Sequence, residues 1–580
     1  MPLMGSLYIG VSGLQTSQNS LNTTAHNISN IGTTGYVRQQ VLTGTATYDT
    51  ILKNNKSVAN QQIGLGVVYS KTRQVRDTFL DATYRKEAGR SAFYEVSYDA
   101  IGEIESLLDE MNGESFEETI SNLWVAVQEL SKDPGSAVTQ GLFVERCSEF
   151  VARAQSVYSG LKSYQSSLNQ TVKTNVNRIN EIAGQIKTLN DEIRNIEITN
   201  VGAEGVSFEK ANDLRDARNT LLDELSTYGN ITYSEDTDCT VWVQLEGEDL
   251  VRGEIAYKIG LYEAPDTGFY TPFWEKNAKF EIDAEGKRVY TAEEAEKAKV
   301  FDLTKVISSD LNTDIGALKS ALLARGYKAA DYTDLLPDRY VNEVSQSVCM
   351  NTMAEFDQLV HGITTTINKI IEEAAVNAVN KQNNYLMTYD NNLGTYVPIQ
   401  VFQKIASDGY RNESGVITYN EEEVGTYNSL TGKVSGYVNE SLYTTLNIQI
   451  NAELLRQPTK LGFVLADDSV DYETVAKIKA AFESEDITLN PNVKKKSSFV
   501  DYYGDLVSQV ANSGAVYKSL LDSQKATVSA ADNAREQIIG VSQDEELTFM
   551  IKFQNAYNAS SRYINVVDEM LEHIINTLGV

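Results

Sequence analysis

The chain has 580 residues, 42% of them hydrophobic, and 50 basic against 80 acidic side chains, a formal net charge of −30. That length exceeds one hydrophobic core and suggests roughly three to five domains. The charge excludes a nucleic-acid groove, because a phosphate backbone would repel such a surface.

No run approaches the ~18 apolar residues of a membrane span, so no membrane insertion is expected. The opening MPLMGSLYIG has no basic n-region and no small-residue cleavage site, so a cleaved secretory signal is not expected either. Cys147, Cys239 and Cys349 stand far apart and read as free thiols, not as a disulfide scaffold or a metal site. The three histidines, His26, His361 and His573, have no second ligand at metal spacing. HExxH, GxSxG and GxxxxGK[ST] are absent; in GTYNSLTGK the glycines are seven apart where a phosphate loop needs five. No catalytic residues, cofactor or metal are therefore expected, and an enzyme is improbable.

In chain order, Leu7, Leu14, Leu21 and Ile28 stand seven apart amid Ser, Thr, Asn and Gln, a thin apolar seam on a polar helix. Asn30-Ile31-Gly32 offers a residue free to take a left-handed conformation just past the helix end, and Thr33-Thr34-Gly35 a tight turn, after which Tyr36 to Gln39 reads as extended. From Leu161 to Ile196 the seam Leu161, Gln165, Leu168, Val172, Asn175, Ile179, Ile182, Ile186, Leu189, Ile193, Ile196 alternates steps of four and three for five heptads. Asn175 within it would pin the register. Asn212 to Tyr228 reads as the returning helix of an antiparallel pair. Beyond Gly229 the pattern alternates like strands and hairpins. A helix resumes around Val341, with Phe356, Leu359, Ile363, Ile367 and Ile370 on one face. Residues 379–438 are rich in Asn, Tyr, Thr and Gly and read as a β-rich insertion. The stretch from there to Asn492 looks mixed, and Lys494–Lys496 reads as a solvated linker.

Phe499, Tyr503, Leu506 and Val510 open another helix, continued by Val516 and Leu520, and Gly540 marks a break. The last helix carries Met550, Phe553, Tyr557, Ile564, Val567, Leu571, Ile574 and Leu578, again at steps of three and four, with Ser560 at the gap. A helix gains most of its stability by burying a face, so the thin first helix needs a partner. The only similar seam at a chain end is the last helix, and the two are expected to pair, Leu571 meeting Leu14 and Leu21 of the same chain or of a neighbouring copy.

The fold expected is α+β: an elongated multidomain protein with paired, coiled-coil-like N- and C-terminal helices, a long helical rod body and β-rich outer domains. Residues 1–45 and 541–580 would be the halves of a terminal helical domain. Residues 46–378 would be the rod body, with a β-rich part near 229–300; 379–492 an inserted outer domain; and 493–540 the returning helices of the body.

SGLQTSQNSLNTTAHNISNIGTTGYVRQ closely resembles the N-terminal motif of the bacterial flagellar rod, hook and hook-associated proteins, with Asn27, Ile28, Ser29, Asn30, Thr33, Gly35 and Tyr36 in the places of N-I-[AS]-N-x-x-T-x-G-Y. The C-terminal stretch is similar to the hook-associated members, through Gly540, Val541, Asp544 to Glu546, Phe553, Gln554, Ala556, Tyr557 and Asp568 to Leu571. ANDLRDARNTLLDELS and NAELLRQPTKLGFV add weaker similarity.

The resemblance implies a structural part at the hook-filament junction, on which flagellin assembly depends. Copies of the chain would form a ring on the flagellar hook protein and receive a second junction hook-associated protein. It implies type III export without cleavage, and a small chaperone on the C-terminal helix at Ile564, Val567, Leu571 and Ile574. Leu7, Leu14, Leu21, Asn27, Ile28, Asn30, Gly35 and Tyr36 at one end, and Phe553, Tyr557, Ile564, Val567, Leu571 and Ile574 at the other, are the assembly residues so implied. A hook or distal-rod protein shares the first motif, and an enzyme or adhesin carried by the insertion stays a distinct reading.

Overall fold

The computed structural model describes residues 2–46, 49–50, 62–109, 115–198, 211–284, 286–376, 386–390, 393–406, 410–413, 416–419, 422, 424–428, 433–437, 439–465 and 467–578. A central helix, Ala137–Ile198, 62 residues long, organises the rest. At 1.5 Å per residue it extends about 93 Å, long enough to serve two cores. Its first half contributes Phe143, Cys147, Phe150 and Leu161 to one of them. Its second half contributes Val172, Ile179 and Ile186 to the other.

The expected seam is present with its register changed. The buried line runs Leu161, Gln165, Leu168, Val172, Val176, Ile179, Ala183, Ile186, Asn190, Ile193, Glu197, which is 36 residues in ten steps. That is the 3.6-residue period of a straight helix, and a strict seven-residue reading drifts from it by about 20° per heptad. Asn175 and Leu189 are half-buried in consequence, and Ile196 is exposed. The helix Asn212–Tyr228 returns antiparallel to it, bonded by Arg178 to Glu224 (2.7 Å) and by Arg215 to Glu197 (2.7 Å).

Three asparagines spaced along the central helix hold the β-rich part against it. Asn169 bonds Gly268 O and Tyr270 N (both 2.9 Å), Asn180 bonds both the N–H and C=O of Ile259 (2.9 Å), and Asn190 both those of Val241 (3.0 Å). Each carboxamide gives one donor and accepts at its oxygen, as a neighbouring strand would. The elements so held are a four-stranded antiparallel sheet, Ile231–Glu235, Val241–Leu245, Glu248–Arg252 and Ile255–Ala256, and the hairpin Ile259–Glu263 with Tyr270–Trp274.

The first core is centred on a group of rings brought from four elements. Phe116 lies 5.5 Å from Phe150, 4.9 Å from Phe356 and 5.0 Å from Tyr503, centroid to centroid. Phe356 comes from the helix Val348–Val376, which starts seven residues after the expected Val341, because residues 337–344 form distorted helical turns first. Hairpins at 387–398, 410–419 and 424–437 form the outer β-rich part. Within the expected 379–492, Leu454, Phe463, Val475, Ile478 and Phe482 belong to the first core. Cys147 and Cys349 are buried there, Cys239 is half-buried, and none of the three is joined in a disulfide.

From Phe499 the chain forms one helix to Ile539. It runs antiparallel to the helix Thr78–Asp109, from Tyr503 Oη donating to Leu108 O (2.6 Å) to Arg535 over the Tyr84 ring (3.9 Å). Val516 and Leu520, expected on the packed face, are exposed; Gly514 and Leu521 are buried there instead. This helix ends at Gly540, beside the root of the chain's first residues.

Candidate assembly site at the paired chain ends

The N-terminal helix Pro2–Ser29 and the C-terminal helix Gln543–Leu578 pack antiparallel, and neither contributes to the two large cores. Three contacts fix the register. A Cβ on Gly10 would lie 2.6 Å from Ile564 Cγ1, one on Gly13 2.8 Å from Ser560 Oγ, and Asn27 Nδ2 donates to Glu546 Oε2 at 3.1 Å. The centre of the contact is consequently not the leucine stripe. Gly10, Gly13, Ser17, Ser20, Thr24 and Asn27, at steps of three and four, form the inner line, and its last four members are buried. Leu7, Leu14, Leu21 and Ile28 stand one position further round the helix and are half-buried at its flank.

On the other helix Val567 is buried, and Phe553, Tyr557, Ile564 and Leu571 are half-buried. The register sets Phe553 and Tyr557 opposite Ser20 and Ser17, bulk against small side chains. Within one chain it also corrects the expected meeting of Leu571 with Leu14 and Leu21: Leu571 falls opposite the first turn, near residue 3. Ile574 is exposed.

At the other end of the pair the chain is fixed by polar bonds. Asn30 donates to His26 O (3.0 Å), and Thr33 Oγ1 donates to Asn30 Oδ1 (3.1 Å), closing the helix stop. Gly35 takes φ +79°, and a Cβ there would meet Thr220 Oγ1 at 2.5 Å, so the turn requires glycine on both counts. Tyr36 is thereby turned back so that its hydroxyl donates to Asn27 Oδ1 (2.7 Å). Burial and the nearby Asp216, Asp213 and Glu546 hold this phenol above its ordinary value, which keeps it a donor.

Asn27, 1% exposed, bonds both the N–H and the C=O of Gln39 (3.0 and 2.9 Å) as well as Glu546. Glu546 also accepts from Arg38 Nε at 2.8 Å, while a second nitrogen of Arg38 lies 3.2 Å from Glu545. Arg38 N donates to Ile539 O, and Val75 N to Arg38 O, both at 2.9 Å. Asp216 on the helix Asn212–Tyr228 accepts from Val37 N (3.2 Å) and from Gln74 Nε2 (2.6 Å); burial pushes its carboxyl up to about 7. One clamp thus joins the first helix, the last helix and the body. Arg38 and the small-residue line are absent from the expected site. A scan for steps of three and four among Gly, Ser and Thr would have found the line.

Among the described residues no cluster of His, Cys, Asp or Glu could hold a metal, and no helix is long and apolar enough to cross a membrane. A chain whose two ends meet as one helix pair outside its cores has the build of a structural subunit. Comparison with known proteins gives that class its setting. The sequence model described as the flagellar hook-associated protein FlgK helical domain matches residues 101–376. Two others, described as the flagellar basal body rod FlgEFG protein C-terminal and the flagella basal body rod protein, match residues 538–577 and 7–36. Flagellar hook-associated protein 1 of Bacillus subtilis (strain 168) is 24% identical over 583 residues, covering 100% of this chain and 99% of its own length. The protein of the same description from Escherichia coli (strain K12) is 23% identical over 579 residues, 98% of each chain. A solved structure, the flagellar hook junction protein FlgK from Burkholderia pseudomallei, superposes with a TM-score of 0.46 at 11% identity, over 80% of this chain and 100% of that one. Along its whole length the chain is similar to flagellar hook-associated protein 1, and it is a structural component of the bacterial flagellum that associates with other flagellar proteins.

Proposed function

We propose that the chain forms the junction between hook and filament. Copies pack side by side in a ring seated on the flagellar hook protein, with their terminal helix pairs innermost, and a second junction hook-associated protein docks on that ring before flagellin assembles. The chain acts as a part and carries out no reaction. The observation that supports this reading is the apolar surface left on the C-terminal helix after it has paired: Leu547, Ile551, Val566, Met570 and Ile575 are all more than 40% exposed. Leu547 with Ile551, and Val566 with Met570, are i, i+4 pairs, each a spacing that fits a neighbouring helix.

Before assembly the chain leaves the cytoplasm through the flagellar type III export path. A small helical chaperone covers Ile564, Val567, Leu571 and Ile574 at that stage. Val567 is 3% exposed in the pair, so the chaperone engages the C-terminal helix while it is unpaired.

The test is a cell whose only copy carries Ile551→Asp and Met570→Asp. Both side chains are exposed in the folded chain, so thermal unfolding of the purified protein should not move. The expected phenotype is hooks without filaments and flagellin in the medium. Normal filaments would remove the junction role.

A further inference from the structure

A cavity of about 800 Å³ opens between the strand Val67–Gln74, the start of the helix Thr78–Asp109, the helix Asn212–Tyr228 and the strand Ile231–Glu235. In a chain of net charge −30 its lining is inverted, with seven basic side chains and two acidic ones. Two of the seven have a carboxylate partner and, among the described residues, no buried donor left over. Arg85 bonds Asp223 at 2.6 Å, and Arg215 bonds Glu197 at 2.7 Å and Glu235 at 2.6 Å.

The other five leave donors over. Arg218 is 2% exposed, and one of its terminal nitrogens donates to Asn190 Oδ1 and Cys239 O, both at 2.9 Å. Its other terminal nitrogen lies 3.7 Å from Glu235, and its Nε has no acceptor among the described residues. Arg76 spends two nitrogens on Asp81 (2.9 and 3.0 Å), while its third is buried without a hydrogen bond, 3.9 Å from Asp216. Lys71, Arg73 and Lys86 complete the lining, and among the described residues none of them has a carboxylate within 4.0 Å. Burial pushes the Arg218 guanidinium down to about 10, as expected for a charge short of counter-ions.

We propose that this cavity binds a tetrahedral oxyanion, either inorganic phosphate or the phosphate group of a small organic ester, between Arg218 and Arg76 with Lys71, Arg73 and Lys86 around it. A buried donor without an acceptor is costly, and a charged acceptor is its strongest partner. Phosphate offers oxygens in four directions, which suits donors arriving from separate elements; a carboxylate offers two oxygens in one plane. The cavity is larger than one phosphate, so an ester's organic part has room. Bound there, the anion bridges the linker that carries Arg76 to the helix that carries Arg218. It tightens the same helix whose Asp216 holds Val37 and Gln74. The site lies beside the root of the terminal helices, and its occupancy is independent of the junction role.

The experiment uses the full chain, purified without phosphate or sulfate. Inorganic phosphate in one arm and glycerol 3-phosphate in the other are titrated by calorimetry and by thermal unfolding, against sodium chloride at matched ionic strength. The expected result is a saturable isotherm near one anion per chain, with a saturable rise in Tm. Tighter binding of the ester identifies an organic phosphate as the ligand, and tighter binding of phosphate identifies the free anion. Arg218 also holds Asn190 and Cys239, so its loss disturbs folding. The decisive variant is therefore Lys71→Ala with Lys86→Ala, which leaves those bonds alone and should bind about tenfold more weakly. No saturable heat with either probe, or unchanged affinity in the double variant, overturns the proposal.

Discussion

Along the central helix the buried line is built of leucine, isoleucine and valine, relieved by Gln165, Asn190 and Glu197, whereas along the N-terminal helix it is built of glycine, serine and threonine, ending in Asn27. Both lines repeat every three or four residues, but they do different work. The central line removes large apolar area from water, and the cores it enters stand without the ends. The terminal line removes little. It lets two helices approach closely, and it leaves the fixing of the pair to one polar clamp at Asn27, Arg38 and Glu546. Bulk holds the body, and a few directed bonds hold the ends.

The largest test of that contrast is Phe116→Ala. The ring is fully buried against Phe150, Phe356 and Tyr503, and its loss should cost about 3–5 kcal/mol of unfolding free energy in urea. Limited proteolysis of the ends should stay as in the parent. If the ends are released in step with the loss of stability, body and ends are one cooperative unit and the comparison fails.

Next comes the pH dependence of the body. Glu355 is buried in the helix Val348–Val376, accepting from Asn490 (2.7 Å) and Gln509 (3.0 Å), and burial raises its carboxyl from 4.5 to about 7. Between those values the folded chain keeps a proton that the unfolded chain has lost. Its contribution is therefore fully present below about pH 4.5 and is lost as pH rises through about 7, a change of about 3 kcal/mol. Asp357, raised to about 6, acts in the same direction. Glu355→Gln should flatten the fall in urea stability between pH 5 and pH 8 relative to the parent. An unchanged slope would mean that the carboxylate is solvated in the folded state.

Glu546→Ala acts at the clamp. It removes an acceptor from Asn27 and leaves Arg38 with Glu545 alone, at a local cost of about 1–3 kcal/mol. Because the clamp lies outside both cores, urea unfolding of the body should hardly respond. Hydrogen exchange at the amides of Arg38 and Gln39, bonded to Ile539 O and Asn27 Oδ1, should accelerate about tenfold or more. Protection equal to the parent's would show that packing alone holds the ends.

What could be read from the sequence divides along the same lines. The helix stop was legible because its chemistry is local, with Asn and Thr making capping bonds within a few residues, but the positive φ falls at Gly35 of the following turn and not at Gly32. The long apolar helices were legible too, but a seven-residue ruler misplaced Asn175, Leu189 and Ile196. The helices Thr78–Asp109 and Phe116–Lys132 went unread. In the first of them Asp81, Arg85, Gly89 and Ser97 take up inward positions, and a count of apolar residues passes over buried ion pairs. The small-residue line of the N-terminal helix was hidden for the same reason, since its leucines carry the visible period and stand beside the contact. The clamp between Arg38 and Glu546 joins positions 508 residues apart, and nothing in either neighbourhood marks the other.

The smallest expected effect on stability is that of Leu571→Asp, and it separates the two halves of the comparison most cleanly. Leu571 is half-buried opposite the first turn of the N-terminal helix, close to the open end of the pair. A carboxylate there can turn to water, so the unpaired-charge penalty of a sealed site does not arise. The urea midpoint of the free chain should shift by less than about 0.5 kcal/mol. In free chain the thin contact also buries too little to order both helices fully against ~1–2 kcal/mol of backbone entropy per residue. Proteolysis should therefore trim parent and variant alike to a stable middle fragment. Assembly is different, because side-by-side packing of copies would close the space through which the carboxylate reaches water, and cells carrying only this variant should make hooks without filaments. A stability loss above about 1 kcal/mol in the free chain would make the terminal pair part of the core. Full filaments with unchanged stability would mean that this turn of the pair faces solvent in the finished assembly as well.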